Sequence, residues 1–459
     1  MHVTQDGGES WQDVTPDGLG ETTINAIEVS PHDPAAAYIA VTAYKFNDFT
    51  PHIYKTNDYG RSWDHVVNGI GEDAFVRVVR EDPARRGLLY AGTETGVYVS
   101  FDDGERWQSL QLNLPNSPIT DLTIRHNDLI AATAGRAFWI LDDLLPLQQL
   151  NDEVASSDMH LFAPRNAYRV GGGGGFGGGG GAVGQNPPAG AIIDFYLAEE
   201  PDSTVTLDIL DNTGTVVQSY STQPEKHEQQ DSLAVAAGMN RFAWNLRHSN
   251  VKSISGVYVW GTLQGRKAVP GRYSARLSVG GRGLTESFEV LKDPRVDATL
   301  ADFRGQDAML VSIRDELTSI HEGVIRLRDV REQVDDVVQR AADHEAADTI
   351  TAAGQAITGQ LDAVEDTLIQ KRTVDGQTVI NWPSRLNFHY IRLRMAVDGS
   401  EGVVTRGARD LFADLSAQWR VHQATLNAIL GPQLKAFNEL IRSRGIPAIM
   451  IPGRRELVP

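Results

Sequence analysis

Read for hydrophobic and polar positions, the chain changes its period once and is interrupted once. From residue 1 to about 150, short runs alternate apolar and polar residues between turn signals: INAIEVS, AYIAVTAY, HIYKT, VRVVRED, LLYAGTE, VYVSFD, ITDLTIRH, LIAATA and FWILDD. Side chains two apart share one face of a strand, so this stretch predicts short half-buried strands of an all-β repeat. The same alternation returns over 187–296 in AIIDFYLAEE, TVTLDILD, TVVQSYST, GMNRFAWNLRH, GRYSARLSV and LTESFEVLKD, with a hairpin turn at Asn212, Thr213 and Gly214. About seven strands in about a hundred residues predict an immunoglobulin-like sandwich without a disulfide. Its Trp244 and Arg247 are expected to pack and cap within that sandwich. Beyond Pro294 the spacing becomes three or four. Leu310, Ile313, Leu317, Ile320, Val324, Leu327, Val330 and Val334 form one apolar stripe. That is the signature of a long amphipathic helix. Further helical stretches at 346–371, 386–397 and 406–442 predict an antiparallel four-helix bundle over 297–445. The end, 446–459, carries three prolines and reads as an extended tail.

Between the two β regions lies GGGGGFGGGGG at 171–181. Such glycine density predicts a flexible linker. With the preceding MHLFAPRNAYRV, read as packing on a neighbouring domain, it occupies 151–186. No Gly-Lys-Ser/Thr follows it, so it is not a phosphate loop.

Three copies of one motif set the register of the first region: TQDGGESW at 4–11, TNDYGRSW at 56–63 and SFDDGERW at 100–107. The shared positions are Asp6, Gly8 and Trp11, then Asp58, Gly60 and Trp63, then Asp102, Gly104 and Trp107. The aspartates recur at intervals of 52 and 44 residues. A period of about 40–50 residues is that of propeller blades. An Asp at the mouth of a turn accepts backbone N–H bonds, Gly supplies the left-handed position, and Trp packs as the next strand begins.

The motif resembles the Asp-box, or BNR, repeat of sialidases, sortilin-type propellers and family 74 xyloglucanases. The resemblance implies a partial β-propeller over 1–150: half a blade, two complete blades and most of another. A ring needs at least about four blades. The chain is therefore expected to begin mid-blade and to need N-terminal blades of the same protein as a partner. With LLYAGTETGVYVSFDDG, ATAGRAFWILDDLLPL, NPPAGAIIDFYL and WPSRLN, the order of the domains resembles exported bacterial BNR-repeat, sortilin-like proteins described as glycosyl hydrolases. That resemblance implies an extracellular or periplasmic location and covers nearly the whole chain. The sandwich further resembles the Ig-like module of flagellar hook-capping type.

Composition removes some classes. A net charge of −18, from 60 acidic and 42 basic side chains, argues against nucleic acid and anionic membrane as partners. With no cysteine, thiolate metal sites and Cys nucleophiles are excluded. No run of apolar residues is long enough for a membrane span. No HExxH, GxSxG or EF-hand loop occurs, and no cofactor or metal is expected.

The motif turns join the outer two strands of each blade, so they are structural, and chemistry is expected at the opposite end. There the candidates are Tyr44, Phe46, Asn47, Asp48 and Phe49, then Glu72 and Asp73 (with Phe75 beside them), then Glu94, and finally Arg136. The aromatic loop can stack on a sugar or grip a peptide. Alternatively its rings pack on the adjacent blade while its polar groups close the turn. Arg136 can meet a carboxylate ligand or pair with Asp142 or Asp143. Glycoside hydrolysis needs two carboxylates roughly 5–10 Å apart, and nothing in the spacing of Asp48, Glu72, Asp73 and Glu94 selects a pair. Two functions are therefore carried forward. One is a non-catalytic binder of a peptide, protein or glycan. The other is the C-terminal part of a glycoside hydrolase.

Overall fold

The structure is a computed structural model and describes residues 1–170, 186–224, 232–447 and 449. The glycine run at 171–181 and nearly all of the expected tail lie outside the described residues. The chain divides into two compact units, 1–157 and 158–459.

The first unit is a propeller-like succession of antiparallel sheets, each strand hydrogen-bonded to the next in sequence. A two-stranded hairpin, β1 (His2–Val3) with β2 (Gln12–Asp13), comes first. A four-stranded sheet follows: β3 (Thr23–Val29), β4 (Ala37–Ala43), β5 (Asp48–Thr56) and β6 (Asp64–His65). The next has the same plan: β7 (Val76–Glu81), β8 (Leu89–Thr93), β9 (Val97–Ser100) and β10 (Gln108–Ser109). The last is three-stranded, β11 (Ile119–Arg125), β12 (Asp128–Thr133) and β13 (Phe138–Leu141). Two short helices, α1 (Leu145–Gln149) and α2 (Asp152–Ala155), carry this unit to Ser157, beyond the expected boundary at 150. Apolar side chains of neighbouring sheets share cores: Tyr38, Ala40 and Ile53 with Val76 and Val79, and Val78, Tyr90 and Val99 with Ile119 and Leu122.

The first strand of each full sheet slips register at the same place. The extra residue is Asn25 in β3, Arg77 in β7 and Thr120 in β11. A bulge of this kind re-aims the side chain it carries. Asn25 turns to the Thr42 hydroxyl at 2.9 Å, and Thr120 to the Ala132 carbonyl at 3.1 Å.

The second unit begins with two sheets. One has the order β14 (Met159–Leu161), β16 (Ala191–Leu197), β19 (Gly238–Trp244). The other runs β15 (Ala167–Arg169), β21 (Arg282–Lys292), β20 (Gly271–Val279), β17 (Val205–Leu210), β18 (Val216–Ser221). Residues 159–169, read from sequence as a packing segment, supply a strand to each sheet. Fully buried Trp244 lies in their joint core with Tyr273 and Phe288, and its indole donates to the Arg247 carbonyl at 2.8 Å.

Helices α3 (Leu300–Arg340), α4 (Ala347–Leu368), α5 (Leu386–Asp398), α6 (Arg406–Ala428) and α7 (Leu434–Ser443) follow. The apolar stripe read from sequence is the buried face of α3. Thr299 and Asp302 cap that helix reciprocally, which fixes where it starts. The expected helix at 406–442 is α6 and α7 joined through a π-helical turn, Ile429–Gln433, around Pro432. Proline lacks the N–H of a regular turn, and the wider turn absorbs the loss. Arg247 does not stay within the sheets as expected: its guanidinium donates to Asp398 of α5 at 2.7 Å. Arg169 makes a second tie between sheets and helices, to Gln306 at 2.7 Å and Glu401 at 2.9 Å.

Candidate functional site

The three repeated turns have one geometry. In each, the Ser or Thr hydroxyl accepts from the glycine amide four residues on, at 2.8 Å for Gly8, 2.9 Å for Gly60 and 2.9 Å for Gly104. The aspartate accepts from the amide four residues beyond itself, at 2.9 Å from Ser10, Ser62 and Arg106. Two successive residues take positive φ: Gly7 and Gly8, Tyr59 and Gly60, Asp103 and Gly104. The Ser62 and Thr56 hydroxyls and nearby amides hold the Asp58 carboxyl down at about 2, and the same kinds of bond lower Asp6. These carboxylates are spent on their own turns.

At the other end of the strands, a 3-10 turn at Tyr44–Phe46 closes on Asn47, which sits at φ 66° and donates its amide to the Tyr44 carbonyl at 3.1 Å. The turn projects Phe46 outward and leaves it 56% exposed, with Phe49 at 46%. Tyr44 lies back across the next sheet and stacks on Phe75, ring centroids 4.9 Å apart and planes 18° from parallel. Phe49 tilts against the same ring at 6.2 Å.

Arg77, the bulge residue of β7, lies against both rings of this pair. Its guanidinium is 4.9 Å from the Phe75 centroid and 5.6 Å from that of Tyr44. Glu94 fixes it with bonds of 2.7 and 3.2 Å, while the Glu94 amide donates to the Phe75 carbonyl at 3.1 Å. Tyr44, Phe49 and Glu94, predicted from separate loops, thus meet in one cluster with Phe75. Tyr44 packs on the adjacent sheet, while Phe46 and Phe49 remain largely exposed.

Arg77 was missed. Its position in VRVVRED looks like an ordinary outward strand residue, and the bulge that turns it inward is a register effect. Superposing the repeats would align Arg77 with Asn25 and Thr120, the one signal available.

Asp48 serves the loop itself. It accepts from the Thr50 hydroxyl at 2.6 Å, the Thr50 amide at 3.0 Å and His52 at 3.2 Å. The Thr50 hydroxyl, then its amide and then His52 hold the Asp48 carboxyl down at about 2. His52 continues to His65 at 3.3 Å. Glu72 and Asp73 are exposed on the loop before Phe75. Arg136 is exposed at the β12–β13 turn, outside this cluster. Its amide donates to the Thr133 hydroxyl and its carbonyl accepts from the Trp139 indole, both at 3.0 Å. Asp143 accepts from Asn127 at 3.4 Å and from the Leu145 amide at 3.2 Å.

A general acid working near neutral pH needs a carboxyl raised by its surroundings. Asp48 is held ionised and Glu94 is committed to Arg77. Among the described residues no cluster of three or more His, Cys, Asp or Glu could hold a metal ion. No helix among them is long and apolar enough to cross a membrane.

No protein-family signature matches the chain. No curated protein matches it. Solved structures similar to it include YCF48 bound to D1 peptide, at 19% identity over 31% of this chain and 44% of that one, TM-score 0.24. They also include the GH74 enzyme of Niastella koreensis, at 14% identity over 58% and 38%, TM-score 0.22. The GH74 xyloglucanase of Xanthomonas campestris is similar at 14% identity over 62% and 40%, TM-score 0.21. The chain spans less than half the length of each of these structures.

Proposed function

We propose that this chain is a non-catalytic binding protein of the cell exterior, and that its first unit grips a peptide, protein or glycan at the end of the sheets bearing Phe46 and Phe49. One observation carries the reading: two exposed phenylalanines border a Tyr44–Phe75–Arg77 stack that Glu94 locks in place. A rigid aromatic base with open apolar rings and a fixed guanidinium suits a ligand that offers an apolar face beside polar groups.

On the same reading the three turn motifs are Asp boxes, the first unit is part of a propeller completed by further blades, and the second unit is an Ig-like sandwich with a helical bundle. Ring faces and side-chain positions favour a binder over a glycoside hydrolase: of the candidate carboxylates, Asp48 holds its own loop and Glu94 holds Arg77. The test is binding of the chain to glycan and peptide arrays, followed by Phe46→Ala and Phe49→Ala. Each substitution should weaken a captured ligand at least about tenfold with the fold intact, since an exposed ring contributes through contact alone. Unchanged binding by both variants would place the site elsewhere.

A further inference from the structure

The second unit holds a shallow pocket of its own, open to solvent, between the segment 257–260, the loop before α5, and the first turn of α5. Its walls are aromatic. Trp260 and Trp382 are both partly exposed, and the Trp260 ring lies 6.3 Å from Phe388 at 31°. The Arg372 guanidinium sits 4.7 Å over Trp382.

Its floor is polar. Asn387 is 5% exposed and lines the pocket. Arg385 Nε is buried without a partner. Arg385 is also the N-cap residue of α5, and no side chain caps that helix, so the first-turn amides keep their donors. No Asp or Glu is among the described residues lining the pocket.

The buried Arg385 Nε, left without an acceptor, carries a desolvation cost that a ligand oxygen would relieve. Arg385, the open start of α5 and the amide of Asn387 together form a donor set for a carboxylate. The acceptor half of the Asn387 amide, with Gln370 and Ser384, suits hydroxyl groups. Two tryptophan faces offer stacking surface to the C–H side of a ring. An acidic peptide would satisfy the guanidinium but leave both indole faces unused.

We propose that this pocket binds an acidic saccharide, with a uronic-acid ring against Trp382 and Trp260 and its carboxylate at Arg385 and the start of α5. The experiment is calorimetric titration of the whole chain with tetragalacturonate, cellotetraose and a hexaglutamate peptide. Tetragalacturonate should bind at least about tenfold more tightly than either of the others, and more weakly as salt is raised. Arg385→Gln and Trp382→Ala should each lower that affinity about tenfold or more, with melting temperatures checked to exclude unfolding. Arg385→Lys keeps the charge but loses the forked donors and should recover only part of the affinity. Phe46→Ala and Phe49→Ala should leave it unchanged, which separates this pocket from the site of the first unit. Absence of tetragalacturonate binding, equal binding of cellotetraose, preference for the peptide, or indifference to both pocket substitutions would overturn the proposal.

Discussion

The indole N–H of Trp107 donates to the backbone carbonyl of Val66 at 2.9 Å. Val66 stands three residues after Trp63, and Trp63 repeats the bond onto Val14, three residues after Trp11, at 3.0 Å. The second and third repeats are thus each latched to the one before by the last residue of their own motif. Burial of that ring deepens along the chain: Trp11 is 62% exposed, Trp63 is intermediate and Trp107 is 3% exposed.

Burial grades the expected cost of removing each ring. Trp107→Ala should destabilise the first unit by about 3–5 kcal/mol, the usual loss for a buried aromatic. Trp63→Ala should cost less, and Trp11→Ala close to nothing. Trp107→Phe keeps most of the apolar surface and isolates the indole bond, at about 1 kcal/mol. Denaturant unfolding followed by a probe in the first unit would order the four variants. Equal effects at Trp11 and Trp107 would show that the latch is not what holds successive sheets.

The motif glycines separate strain from contact. Gly8 and Gly60 both take positive φ, 99° and 83°. A Cβ on Gly8 would meet nothing within 4 Å, whereas one on Gly60 would come within 2.7 Å of the Val14 Cβ. Gly8→Ala should therefore cost only the backbone strain, about 1–2 kcal/mol. Gly60→Ala should cost that plus a collision across the junction between repeats. Gly60→Ala in a Val14→Gly background, which removes the Val14 Cβ, should recover part of the difference. A double-mutant cycle reads this directly, and additive effects would contradict it.

These comparisons show how far the sequence reaches. The turns were legible because their geometry is local: the side chains of residues 4–10 satisfy amides of the same turn. The α3 stripe was legible because a helix repeats its face every three or four residues. Arg77 was not, because a one-residue slip against β8 turns it towards Phe75, and register lies in the partner strand. The pocket at Asn387 was not legible either. WPSRLN reads as a loop entering a helix, and only folding brings Trp260, more than a hundred residues earlier, to face it.

Glu365 in α4 is a heavily engaged buried charge of the second unit. It is fully buried and accepts from Arg328 and Arg331 of α3, both at 2.6 Å. Burial alone would raise its carboxyl, but the two guanidinium groups outweigh burial and lower it. Glu365→Ala leaves Arg328, Arg331 and, at 3.7 Å, Lys371 without their shared partner and should destabilise by about 3–5 kcal/mol. Glu365→Met should be markedly milder only if Arg328 and Arg331 are also made apolar. Because the folded carboxyl is lowered, its contribution is present above the ordinary range near 4.5 and is lost as pH falls below it. Melting temperatures of the variants at pH 7 and pH 4 test both statements, since the gap between Glu365→Ala and the parent should narrow at the lower pH.

His248 governs a different pH window. Burial, followed by the neighbouring Arg266 charge, pushes its imidazole down to about 4 from 6.5. The unfolded chain therefore takes up this proton near pH 6.5 while the folded chain resists until near pH 4, so acidification across that interval favours unfolding. The contribution is complete above pH 6.5 and is lost progressively towards pH 4, at most about 3 kcal/mol. His321 and His422 are lowered by burial as well and add to the same slope. His248→Gln removes the titration, so its stability between pH 6.5 and 4.5 should decline less steeply than that of the parent, by up to about one proton in the linkage. Carboxylates such as Glu365 take over below that range, which is why the measurement stops there. A set of denaturant midpoints at half-unit pH steps decides it: parallel curves for parent and variant would mean that the folded protein accommodates His248 charged as readily as neutral.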